Sequence, residues 1–180
     1  MKNRYLVTKA IEYARQKLYQ PHFYLDRGID GLMIEESFPG RSLLARLDHG
    51  AEIMGQITEI ARDRNIKAAA ISAIGALSRA DLGFYDQAGR EYLVRAVEEP
   101  VEIVSCTGNI SLLDGQPFVH AHAVLADSSD RVLAGHLVRG SIFAAELFIQ
   151  ELPQADLHRS WDSSTGLKLW TKGDGSGVLH

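Results

Sequence analysis

Residues 48–77 read DHGAEIMGQITEIARDRNIKAAAISAIGAL, and two periodicities meet inside them. Ile53, Met54, Ile57, Ile60 and Ala61 recur at helical spacing and form one apolar stripe. Glu52, Glu59, Arg62, Asp63 and Arg64 take the opposite side, and Asn65 offers a left-handed stop. Beyond it, Lys67–Leu77 is almost wholly apolar, the pattern of a strand buried on both faces. An apolar-striped helix running into a buried strand predicts a helix that covers a sheet.

Strand patterns extend in both directions. Upstream, Leu43, Ala45 and Leu47 alternate with Ser42, Arg46 and Asp48, a half-buried strand. Downstream, Ala80–Tyr85 and Arg90–Val97 flank the turn residues Asp86 to Gly89. Val101–Leu113, Phe118–Ala126, Arg131–Val138 and Ile142–Glu151 follow, with breaks at Asp114-Gly115, Asp127–Asp130 and Arg139-Gly140. A late strand is placed near Leu167–Trp170. The expected fold is α+β: a mostly antiparallel β-sheet of seven or more strands with one main helix packed on it. Residues 1–40 read as an N-terminal extension, helical over 5–20 and stopped by Pro21. Residues 41–152 form the domain. Residues 153–180 form a C-terminal extension ending in a loose, glycine-containing tail from Thr171.

Composition narrows the function classes. The 180 residues are 46% hydrophobic and 23% charged, which suits an ordinary globular domain. A single cysteine, Cys106, excludes an intrachain disulfide framework and fits a reducing cytoplasm. No apolar run approaches ~18 residues, so no membrane-spanning helix is expected. The amino-terminal residues lack the pattern of a signal peptide. The net charge of −4 disfavours a surface built to grip phosphate backbones. No nucleophile elbow, P-loop or dinucleotide fingerprint is present.

The chemistry-bearing residues are histidines. His120-Ala121-His122 lies within an expected strand, where alternate side chains share a face ~6.5–7 Å apart. His136 lies on the next strand. If Asp127 pairs with Arg131, His122 stands opposite His136; a one-residue slip turns His136 away. Three converging imidazoles with an open fourth position suit a catalytic zinc or similar divalent transition metal better than a closed structural site. Spacing alone leaves the alternative open, because paired surface histidines on strands are common. Glu146 is the nearest carboxylate candidate for orienting an imidazole or activating a water, against simple exposure or an inter-subunit ion pair. Cys106 reads as a buried, inert thiol and His49 as exposed.

Several blocks, in order, resemble the PPC (plants and prokaryotes conserved) domain family. They are Ile71–Leu77, Phe84-Tyr85-Asp86, Glu99–Ile103, Gly108–Leu112, Asp114–His122 and Gly135-His136-Leu137. The resemblance runs from about Ser42 to about Leu152, with a less specific match over Asp162–Leu169. It implies an α+β homotrimer in which His120, His122 and His136 form a metal site, similar to the zinc-binding histidines of acetolactate decarboxylase. Plant members carry an AT-hook before the domain. Here Gly40-Arg41 is followed by Ser42, so that DNA-binding core is missing.

Three functions remain open from sequence: a metal-dependent enzyme, a trimeric binder of a small anionic metabolite, and a DNA-associated interaction module with structural histidines. In the last, Arg41, Arg46, Arg62 and Arg64 would be the first DNA contacts to neutralise. The apolar strands Ala68–Leu77 and Ile142–Ile149 exceed what one helix can cover, which also favours an oligomer.

Overall fold

The computed structural model describes residues 33–172, and the helix expected over 5–20 and residues 173–180 lie outside the described residues. The described residues belong to one compact unit. They form β1 (Ser42–Leu47), α1 (Ile53–Asp63), β2 (Ala69–Asp86), β3 (Glu91–Val97), β4 (Val101–Leu113), β5 (Gln116–Ala126), β6 (Val132–Glu151), β7 (Leu157–Asp162) and β8 (Leu167–Lys172). The architecture is therefore α+β, an eight-stranded, mostly antiparallel sheet with one helix among the described residues.

The helix starts at Ile53, and its cap explains why. Glu52 holds an extended backbone while its carboxylate accepts from the Met54 N–H at 3.0 Å and the Gly55 N–H at 2.6 Å. Asp48 is instead engaged by the Gln56 amide at 2.6 Å. Ile53, Ile57 and Ala61 are fully buried on the face toward β5 and β6. Each isoleucine contributes roughly 1.5–3 kcal/mol of burial. Asn65 adopts φ 52°, the left-handed stop expected of it, and the Ile66 N–H returns to the Ala61 carbonyl.

The sheet runs β3-β2-β6-β5-β4-β7-β8, with β1 also on β6 and an additional β2–β4 pairing. Pairings β2–β6, β6–β5, β5–β4 and β4–β2 close a ring around the core. Ile71, Leu77, Ile103, Ile110, Leu125, Leu137 and Ile149 belong to that core. β7 joins in parallel, through Leu112–His158 and Leu113–Arg159, and is the exception to the antiparallel pattern.

Two breaks inferred from sequence are not breaks. Lys67–Leu77 and Ala80–Tyr85 are one 18-residue strand, β2, and Arg131–Val138 and Ile142–Glu151 are one 20-residue strand, β6. Polar residues around Ser78 and Arg139-Gly140 coincide with register shifts between the two strands, bulges rather than turns. Gly75 occupies another irregularity, on the β4 side, with φ +136°. A Cβ there would collide with the Ala144 carbonyl oxygen, so both the backbone angle and the close approach require glycine. The true turns obey local chemistry: Asp114 and Gly115 both have positive φ, the two-residue hairpin geometry. β8 fulfils the late strand expected near Leu167–Trp170, whereas its partner β7 was not anticipated.

Candidate metal centre

β5 presents His120 and His122 two residues apart, hence on one face. Whether His136 joins them depends on the turn between β5 and β6. The Asp127 N–H donates to the Arg131 carbonyl at 3.1 Å, which closes the register. The Asp127 carboxylate holds that turn by accepting from the Ser129 N–H at 2.8 Å, the Arg131 N–H at 3.1 Å and Arg131 Nε at 2.6 Å. Burial alone would raise the Asp127 pKa, but these donors outweigh it and hold the group below the usual carboxylate range. In the resulting ladder His122 stands directly opposite His136.

The three imidazoles converge. Ring centroids are 5.2 Å apart for His120–His122, 5.1 Å for His120–His136 and 5.4 Å for His122–His136. One nitrogen from each lies within 4.8 Å of the others. His120 and His136 are half-buried and His122 is exposed, so the group opens to solvent on one side. His136 Nδ1 is buried without a hydrogen-bond partner. Buried ring nitrogens ordinarily find partners, so an orphan beside two other imidazoles fits a cation.

His120 and His136 are tuned toward the neutral form. Burial, then the Arg159 charge, then the two neighbouring histidines push His120 down to about 4. Burial first, then His122 and Arg159, also lower His136. Neutral imidazole is the form that ligates metal.

Arg159 is the residue sequence reasoning missed. It enters from β7, and its Nη2 lies 3.4 Å from His120 Nδ1. Tyr92 adds a ring 5.1 Å from His136. A cation and a phenol ring thus stand against the histidines. The available signal was the turn run Asp162-Ser163-Ser164-Thr165-Gly166 ahead of Leu167–Trp170, which marks a hairpin and demands a strand before it.

Other candidates fall elsewhere. Glu146 is exposed on β6, paired with Arg46 and Ile74, and is not a member of the three-histidine group. His49 Nδ1 contacts the Phe143 carbonyl at 2.8 Å, and His158 Nε2 contacts Asp156 at 2.9 Å. Cys106 is buried, and burial pushes its thiol up to about 11, as an inert cysteine requires.

Fold and site together define a small α+β domain whose curled sheet carries a three-histidine group. Residues 34–153 match the family of the Plants and Prokaryotes Conserved (PCC) domain, and the chain belongs to that family. The match starts inside the segment assigned above to the N-terminal extension. There the Gly40 N–H donates to the Glu151 carbonyl at 2.8 Å. The chain is similar to the metal-containing protein AF0104 of Archaeoglobus fulgidus, with 40% identity and a TM-score of 0.76 over 78% of this chain and 100% of that one. A plant- and prokaryote-conserved (PPC) protein of Pyrococcus horikoshii shows 35% identity and a TM-score of 0.75, covering 79% and 99%. A protein of Ralstonia eutropha JMP134, described as a candidate DNA-binding protein, shows 28% identity and a TM-score of 0.67, covering 72% and 90%. In sequence, 124 residues are 32% identical to the bifunctional protein GlmU of Synechococcus sp. (strain JA-2-3B'a(2-13)); they represent 67% of this chain and 18% of that protein. Among the described residues no helix is long and apolar enough to cross a membrane.

Proposed function

We propose that the chain is a cytoplasmic, homotrimeric PCC-domain protein that binds one zinc-type divalent ion through His120, His122 and His136. The observation that carries this reading is the convergence of three imidazoles, with His136 Nδ1 buried and orphaned among them. A 40%-identical protein described as metal-containing supports it. A zinc-type ion held by three histidines retains an open position, from which it polarises a bound oxygen or lowers the pKa of water. This chain's own residues supply the binding, through the three imidazoles, and an opening on the exposed His122 side for a small ligand.

The trimer is supported by an exposed apolar face. Leu44 and Phe148 are paired across β1 and β6, are 78% and 43% exposed, and lie with Ile74 on the side away from α1. Such a face is costly in water and suits burial against another copy. Direct DNA binding remains the weaker reading, since the net charge is −4 and its support is the description of relatives.

The experiment is elemental analysis of protein purified without a nickel column, applied to single-histidine variants. His120→Ala, His122→Ala and His136→Ala should each lose the metal, whereas His49→Ala and His158→Ala should retain it. Metal retained in all three site variants would overturn the assignment.

A further inference from the structure

Residues 34–153 carry the family match, yet one side chain from beyond them stands in the histidine site. Arg159 is half-buried and firmly held. Its Nε donates to Ser111 Oγ at 2.8 Å, Nη2 to Asn109 Oδ1 at 3.0 Å and Nη1 to the Lys168 carbonyl at 2.9 Å. The Phe118 and Trp170 rings flank it at 5.2 and 5.8 Å. All of these partners are neutral, and among the described residues no carboxylate forms an ion pair with Arg159. A half-buried cation without a counter-charge is unusual, because desolvation is normally offset by an opposite charge.

The contact with His120 explains what the charge is for. A neutral imidazole has one acceptor nitrogen. His120 Nδ1 accepts from Arg159 only while its lone pair is available. If a metal takes Nδ1, the guanidinium is displaced. If a metal takes the other nitrogen, Nδ1 carries the proton and faces Arg159 donor to donor. Either way metal loading ends this contact. Arg159 then retains one unused N–H on each terminal nitrogen, enough for the two oxygens of one carboxylate.

From this geometry we infer that Arg159 is the anion-binding half of the site, receiving the carboxylate of a small hydroxy- or oxo-carboxylate whose second oxygen reaches the metal held by His120, His122 and His136. The inference rests on the metal reading above. A carboxylate fits better than a phosphate because a single guanidinium with two spare donors is offered, and the lysine in contact with it, Lys168, contributes its backbone carbonyl rather than its ammonium. Bound carboxylate also relieves repulsion between the guanidinium and a divalent ion, so metal and ligand should each strengthen retention of the other.

The test is calorimetric titration of zinc-loaded, full-length protein with glycolate and with its neutral counterpart glycolamide. Zinc content and melting temperature are measured first on every sample. Wild type should bind glycolate about tenfold or more tightly than glycolamide. Arg159→Gln should abolish that preference while zinc content stays at the wild-type level. Arg159→Lys keeps the charge without the fork and should retain only part of the preference; it decides the matter if Arg159→Gln fails to fold. A wild type with no preference, or a preference intact in Arg159→Gln, or in Arg159→Lys where that variant decides, overturns the role of Arg159 while leaving the metal site standing. Wild type that takes up no zinc overturns the metal reading itself, and this inference with it.

Discussion

The curled sheet and the β7–β8 hairpin hold their parts of the site by different physics. Around His120, His122 and His136, the strands are fixed by a buried core in which Ile110, Leu125 and Leu137 are at most 1% exposed. The hairpin buries Leu157 but leaves Trp161, Leu169 and Trp170 at least 40% exposed. Polar contacts dock it instead: Tyr85 Oη donates to the Thr165 carbonyl at 2.7 Å, Arg90 Nη1 to the Ser163 carbonyl at 3.1 Å, and Arg159 to Ser111 and Asn109. Apolar burial gives a rigid frame for metal ligands, while a polar-docked hairpin can vary in sequence without disturbing that frame. The difference separates the three histidines, framed by apolar burial, from Arg159, which arrives on a hairpin docked by polar contacts.

The largest expected effect lies in the frame. Gly75→Ala adds a left-handed backbone penalty to a collision with β6, and should cost about 4 kcal/mol or more. Chemical denaturation should show sheet and hairpin lost together; a near-neutral result would mean the β2 bulge relaxes freely. Ile57→Ala, emptying a fully buried position on α1, should cost about 3 kcal/mol without changing metal content in the folded fraction.

A smaller change sharpens the contrast from the other side. Leu157→Ala should cost about 2 kcal/mol, localised to the hairpin. Hydrogen exchange should then rise in β7 and β8 but stay slow in β2 and β6. Equal acceleration throughout would show one cooperative unit and dissolve the distinction.

The smallest effect is electrostatic. Glu151 is held below the usual carboxylate range by the Arg41 side-chain hydrogen bond, with Nε 2.7 Å from Oε2, and Asp127 is lowered by its turn donors. Depressed carboxylates stabilise the fold above the unfolded carboxylate pKa of about 4, and the contribution is lost as pH falls through their folded values. The Arg41 and Arg131 partners are more than half exposed, so the acid-side decline in urea midpoint should be shallow and should weaken further in high salt.

How much was legible follows from the same contrast. An apolar stripe at helical spacing revealed α1, and continuous apolar runs and alternation revealed the paired strands, because burial imposes a period on the chain. Ser78 and Arg139-Gly140 misled because a bulge and a turn use the same residues, and only the facing strand tells them apart. The histidine pair at 120 and 122 was visible from its spacing, whereas His136 depended on a turn in which Asp127 and Arg131 choose the register. Arg159 left no periodic trace. It sits on a six-residue strand and is positioned by Asn109 and Ser111, about fifty residues earlier in the chain, a relation that exists only after folding.

The most direct test of the account is metal stoichiometry in the wild-type chain, stripped by a chelator, supplied with zinc at neutral pH, desalted and analysed elementally. The three-histidine centre predicts about one zinc per chain. Protein that returns metal-free from this treatment would contradict it, and would leave the histidines as structural residues of the sheet.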